Sequence, residues 1–87
     1  MKSFEDLWTE LDQKITSADP NSTTFKLIHS GVHAIGKKIL EEAGEVWIAA
    51  EYQSEKELAL EISQLLYYLQ VMAKARGLKL EDIYREL

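Results

Sequence analysis

An all-α fold, a helical bundle of about four to five helices around a central antiparallel pair and completed by dimerisation, follows from three observations. Apolar residues recur at three- and four-residue spacing through most of the chain, no useful stretch alternates with the period of two that a strand needs, and capping signals separate the periodic segments. At 87 residues there is room for one domain, spanning 1–87, and for no second core.

The first helix begins after Ser3, a plausible N-cap with Asp6 three residues on, and carries Phe4, Leu7, Trp8, Leu11 and Ile15 at helical spacing. The polar run Ser17 to Ser22 interrupts it, because Pro20 disfavours helix at Asp19. A short helix from Thr23 to Ser30 then ends near Gly31. From Val32 to Tyr52 the stripe Val32, Ile35, Ile39, Ala43, Val46 and Ala50 predicts a long helix. With Ile39 at zero and ~100° per residue, that stripe stays within about 40° of its starting direction, while Glu42 falls near ~300° and Glu45 near ~240°, at the border of the buried face. Gly36 and Gly44 each cost on the order of 1 kcal/mol relative to Ala in a helix. The apolar period nevertheless runs through both without slipping, which favours a continuous helix. Ser54 to Glu57 reads as a capping box opening a helix that runs to Arg76, with Gly77 closing it. Its main stripe is Leu58, Ile62, Leu65, Leu69 and Met72. Leu60, Tyr67 and Val71 form a second apolar strip, which a two-fold dimer would bury. Leu80 to Leu87 predicts a short closing helix, and both Trp8 and Trp47 read as packing residues.

Composition narrows the function classes. An apolar share of 46% beside 29% charged residues suits a globular protein, and no apolar run reaches the ~18 residues of a membrane span. The N-terminus lacks the apolar core of a secretory signal, so the cytoplasm is the expected compartment. The absence of cysteine removes disulfides and thiolate metal sites. A net charge of −5 argues against a nucleic-acid polymer as partner. Lys26, His29, His33, Lys37 and Lys38 cluster just before an acidic segment, which suits a small phosphorylated ligand beside a metal ion. His29 and His33, at i and i+4, can share a metal only if the helix is unbroken at Gly31; surface or phosphate-contacting roles fit them better.

That segment contains Glu41, Glu42 and Glu45, and the following helix contains Glu61 and Gln64. If the two long helices fold back about Gln53, residues whose numbers sum to about 106 lie at the same height, so Glu45 faces Glu61 and Glu42 faces Gln64. Spacing alone is equally compatible with a solvated acidic face. The three-residue separations within each helix, together with that register, favour convergence instead. Carboxylates so crowded repel one another unless a hard cation neutralises them, and an all-oxygen donor set points to Mg²⁺.

The ordered set Glu41-Glu42-Ala43-Gly44-Glu45 and Glu61-Ile62-Ser63-Gln64 resembles the EExxE and ExxD signature of the all-α nucleoside triphosphate pyrophosphohydrolases of the MazG type. Within that group the chain most resembles the phosphoribosyl-ATP pyrophosphohydrolase family of histidine biosynthesis. Ser22-Thr23-Thr24 after Asp19-Pro20, Gly31, Lys38 to Glu42, Leu65-Leu66-Tyr67 and Gly77 to Leu80 extend the likeness from about Phe4 to Leu87. Two departures stand out: Gln64 occupies a position where the family usually has Asp, and Tyr68 one where relatives commonly have His. An amide oxygen still ligates Mg²⁺ but brings no charge.

The resemblance implies Mg²⁺-dependent cleavage between the α- and β-phosphates of phosphoribosyl-ATP by a homodimer. It implies Glu42, Glu45, Glu61 and Gln64 as metal ligands, and Glu41 as the group that orients or deprotonates water or holds a second ion. Lys38, and less directly Lys37, are implied as phosphate contacts, with Thr24 and Tyr68 near the substrate. Of the two tyrosines Tyr67 and Tyr68, at least one is expected to pack rather than stack on a base. Hydrolysis of another nucleoside triphosphate, or a non-enzymatic helical module that binds a partner, are the rival readings.

Overall fold

The protein, described over residues 1–87 by a computed structural model, consists of five α-helices without a strand. They are α1 (Phe4–Ser17), α2 (Thr23–Ser30), α3 (Val32–Tyr52), α4 (Glu55–Ala75) and α5 (Leu80–Arg85). Serine side chains start three of them. Ser3 accepts from the Asp6 N–H at 3.0 Å while the Asp6 carboxylate accepts from the Ser3 N–H at 3.1 Å, the reciprocal pair expected at the start of α1. Ser22 and Ser54 accept from the N–H groups of Phe25 and Glu57, each at 3.2 Å. Helix α3 continues through both Gly36 and Gly44. Between α2 and α3 the backbone turns at Gly31, whose φ of 95° is strained for any residue with a Cβ.

Helices α3 and α4 form the largest interface in the molecule, and α1 and α2 pack across one side of that pair. Leu11, Ile35 and Val71, from three different helices, make the fully buried centre, with Leu7, Leu27, Ile39, Tyr67 and Met72 packed around it. Two polar contacts fasten α1 to α4. The buried Gln70 donates its Nε2–H to the Phe4 carbonyl at 2.9 Å. Lys74 lies 3.7 Å above the centre of the Trp8 ring and pairs with Asp12, so its aliphatic stem is covered while its charge stays neutralised. No helix is long and apolar enough to cross a membrane.

The helices follow the sequence pattern closely, but the inward faces of the two long ones differ from expectation. On α4, Val71 is fully buried and Tyr67 packs on the core, whereas Ile62 and Leu69 of the expected main stripe are exposed. On α3 the buried line is Ile35, Glu42 and Ala49, while Val32, Ala43 and Ala50 face outward. On α3 the true inward direction is rotated by roughly 60° from the expected one. The cause is an apolar arc wider than one interface: the expected stripe averaged the covered half with an uncovered half. Trp47 belongs to the uncovered half and is 68% exposed, its indole N–H donating to Glu51 at 2.9 Å rather than packing.

Candidate metal centre and adjoining cavities

The rotation of α3 carries Glu42 into the interface with α4. One carboxylate oxygen from each of Glu42, Glu45 and Glu61 lies within 4.8 Å of the other two, with Glu42 buried, Glu61 half-buried and Glu45 exposed. The convergence of Glu45 and Glu61 follows from antiparallel helices in the register of the Gln53 turn. A cavity of about 270 Å³, lined by Glu45, Ile48, Gln53 and Glu61, opens beside them. Buried carboxylate oxygens normally find donors, yet Glu42 Oε2 and Glu61 Oε2 have none. Burial pushes the Glu42 carboxyl up to about 8, with the neighbouring Glu61 and Glu45 carboxylates adding to the effect. Near neutral pH the group therefore retains a proton unless a cation takes its place. An oxygen-only set with unpartnered buried atoms fits a hard divalent ion.

The other sequence-derived candidates are placed as follows. Gln64 is exposed, one turn beyond Glu61, and lines a larger cavity of about 710 Å³ formed with Ser3 and with Phe4 and Leu7 of α1. Glu41 points away from the carboxylate group, its oxygen 3.8 Å from Lys38 Nζ at the surface. Lys37 is exposed. Thr24 is buried, and its hydroxyl lies 2.8 Å from that of Tyr67, tying α2 to α4. Tyr67 is thus the packing tyrosine of the two. Tyr68, set edge-on against it at 5.2 Å between ring centres, forms a wall shared by the large cavity and a third one. That third cavity, of about 450 Å³, also contains Lys38 with Thr23 and Lys26 of α2. Gly31 separates the two histidines onto different helices: His29, in the last turn of α2, leans on the Phe25 ring at 4.2 Å, and His33 sits in the first turn of α3.

The profile of the phosphoribosyl-ATP pyrophosphohydrolase family matches residues 4–87. The chain belongs to that family. Proteins named phosphoribosyl-ATP pyrophosphatase in Streptomyces avermitilis and Streptomyces coelicolor are each 56% identical to it, over 99% of this chain and 97% of theirs. As a member of the phosphoribosyl-ATP pyrophosphohydrolase family the chain is an enzyme of the hydrolase class, and the reading as a non-enzymatic module falls away. The family profile begins at Phe4, the first residue of α1, and so takes in all five helices together with every acidic residue of the cluster.

Proposed function

We propose that the protein hydrolyses phosphoribosyl-ATP to phosphoribosyl-AMP and pyrophosphate, an early step of histidine biosynthesis, with Mg²⁺ held by Glu42, Glu45 and Glu61. The observation that carries the metal assignment is the meeting of three carboxylates within 4.8 Å, two of them with buried oxygens that nothing in the chain satisfies. The family membership and the names of the relatives carry the substrate.

When bound, Mg²⁺ supplies charge neutralisation at the phosphates and a more acidic water. The chain's own groups do the rest. Glu42 and Glu61, held on rigid helices, would hold the ion together with Glu45 and give it a fixed place beside the substrate's phosphates. Glu41, outside the carboxylate group, serves to orient or deprotonate the attacking water or to hold a second ion. Lys38, one turn before Glu42 on the same helix, meets a phosphate oxygen, and Lys37 does so more peripherally. Gln64, one turn beyond Glu61, would join the carboxylates as a neutral amide ligand if its side chain swung towards them, lowering the charge of the donor set by one relative to Asp and leaving more of the neutralisation to the substrate. Thr24 supports the substrate region through Tyr67, and Tyr68 offers its ring to the nucleotide.

The working unit is a homodimer. Only five apolar residues are buried in the single chain, whereas Leu40, Trp47, Ile62, Leu66 and Leu69 are exposed on the two longest helices. A second copy seated on those strips removes them from water.

The test is pyrophosphate release from phosphoribosyl-ATP, measured beside ATP and modified nucleoside triphosphates, with Mg²⁺ and after chelation. Preferred release from phosphoribosyl-ATP that disappears with the metal is expected. Faster turnover of another triphosphate assigns a different substrate, and full activity in chelator overturns the metal assignment.

A further inference from the structure

The cavity between α2, α3 and α4 is chemically unlike the rest of the surface. The chain carries 15 acidic and 10 basic residues, yet Lys26 and Lys38 line this cavity and no carboxylate does. Lys26 forms no ion pair; the five in the molecule involve Lys2, Lys14, Lys38, Lys74 and Arg85. Lys38 has only the loose surface contact with Glu41, at 3.8 Å. Two ammonium groups in a concave site, one unpaired and the other only loosely paired, favour an anion. The Thr23 hydroxyl, which makes no hydrogen bond within the chain, adds a neutral donor, whereas the Ser30 hydroxyl is committed to the Leu27 carbonyl at 2.5 Å.

The position of the cavity is fixed by the same helix register that builds the carboxylate group. Glu45 and Glu61 are level with each other, and the numbers of Lys38 and Tyr68, which both line the cavity, have the same sum of about 106. The two levels are seven residues apart along α3, a separation of about 10 Å. A substrate whose α–β anhydride sits at the carboxylates can place a second anionic group between Lys38 and Lys26 if an arm on its far side ends in one. Phosphoribosyl-ATP has such an arm, because its purine bears a second ribose that ends in a phosphate monoester. ATP does not. The hydrogen bond between Thr24 and Tyr67 holds α2 against α4 at this point, keeping Thr23 and Lys26 opposite Tyr68.

We propose that Lys26, Lys38 and Thr23 form the subsite for the 5′-phosphate of the phosphoribosyl arm, and that Lys26 is a specificity-determining residue which distinguishes phosphoribosyl-ATP from nucleoside triphosphates that lack that arm. This rests on the substrate reading given above. A phosphate monoester carries close to two negative charges at neutral pH and accepts several charge-assisted hydrogen bonds, which two lysines and a hydroxyl satisfy. The subsite contributes uniform binding, because the monoester is remote from the bond that breaks.

The experiment compares wild type, Lys26→Gln and Lys26→Arg, using steady-state kinetics on phosphoribosyl-ATP and ribose 5-phosphate as the probe of the subsite. Lys26 is exposed, so both variants should fold, and circular dichroism with a thermal melt verifies it. The proposal expects Lys26→Gln to raise KM on the order of tenfold with kcat little changed, and Lys26→Arg to restore most of the loss. Ribose 5-phosphate should compete with substrate in wild type, shift the amide resonances of Thr23 and Lys26, and lose both effects in Lys26→Gln. Wild-type turnover of phosphoribosyl-ATP combined with an unchanged KM in Lys26→Gln overturns the subsite and leaves the substrate reading standing. A loss confined to kcat, or competition by pyrophosphate at these resonances in place of ribose 5-phosphate, overturns it equally. No turnover of phosphoribosyl-ATP by wild type overturns the substrate reading, and the subsite with it.

Discussion

The hydroxyls of Thr24 and Tyr67, 43 residues apart in sequence, lie 2.8 Å from each other where α2 crosses α4. Thr24 is almost wholly buried, so each hydroxyl is the partner the other needs away from water. Tyr67→Phe leaves the Thr24 hydroxyl without that partner and should destabilise the fold by about 1–3 kcal/mol. Thr24→Val alone should cost a similar amount, while the double variant should cost less than the sum, with a coupling energy of roughly 0.5–1.5 kcal/mol. Urea denaturation of the four proteins measures this. Strict additivity would mean that the contact does not hold α2 in place.

The raised pKa of Glu42 has a definite consequence for the metal-free protein. The unfolded carboxyl titrates near 4.5 and the folded one near about 8, so between those values the folded state holds a proton that the unfolded state has lost. Stability from this group is complete below the lower value and declines as pH rises through the upper one. In chelator, the melting temperature of wild type should fall from pH 5 to pH 8 more steeply than that of Glu42→Gln, which has no proton to lose there. Equal slopes would show that the Glu42 carboxyl is not forced to stay protonated.

Metal addition should reverse that decline. At pH 8, Mg²⁺ binds the folded chain alone and raises the melting temperature in proportion to the logarithm of its concentration above the dissociation constant. Glu45→Gln and Glu61→Gln should remove most of that shift and reduce pyrophosphate release by more than about 100-fold, beyond the range typical of outer-shell changes. Glu41→Gln should keep the thermal response to Mg²⁺ while losing activity, because its side chain stands outside the group of three. Intact Mg²⁺ stabilisation in Glu61→Gln would remove that residue from the ligand set.

Much of the fold was legible because its signals are local. Ser3, Ser22 and Ser54 begin helices by bonding backbone N–H groups three residues on, and Gly31 and Gly77 mark breaks through their positive φ values. The meeting of Glu45 and Glu61 was legible too, since helix rise and one turn fix which residues are level. The inward faces of α3 and α4 were not. Periodicity reports which residues are apolar, and Ala43 and Val71 are both apolar although one is exposed on an outward face and the other lies at the core. For the same reason Glu42 was placed at the edge of the buried face when it lies within it. The engagement of Thr24 with Tyr67 and the grouping of Thr23 and Lys26 with Tyr68 depend on how α2 crosses α4, which no spacing within one helix encodes.

The outward apolar strips bear on assembly. Leu40 and Leu66, whose numbers also sum to about 106, stand at one height on adjacent helices, and Trp47 and Ile62 extend the same uncovered side. Solvent-exposed side chains of this size on both long helices form the kind of patch that monomers rarely keep open. If a second copy covers it, Leu40→Glu or Leu69→Lys places a charge in an apolar interface, which is strongly unfavourable without a partner charge. Either substitution should then convert dimer to monomer in sedimentation velocity and lower the melting temperature, and the melting temperature of wild type should rise with protein concentration. If the strips face water in the working protein, the same substitutions replace one exposed side chain by another and should change stability by no more than about 0.5 kcal/mol. A monomeric wild type with unchanged melting across a hundredfold range of concentration would refute the dimer.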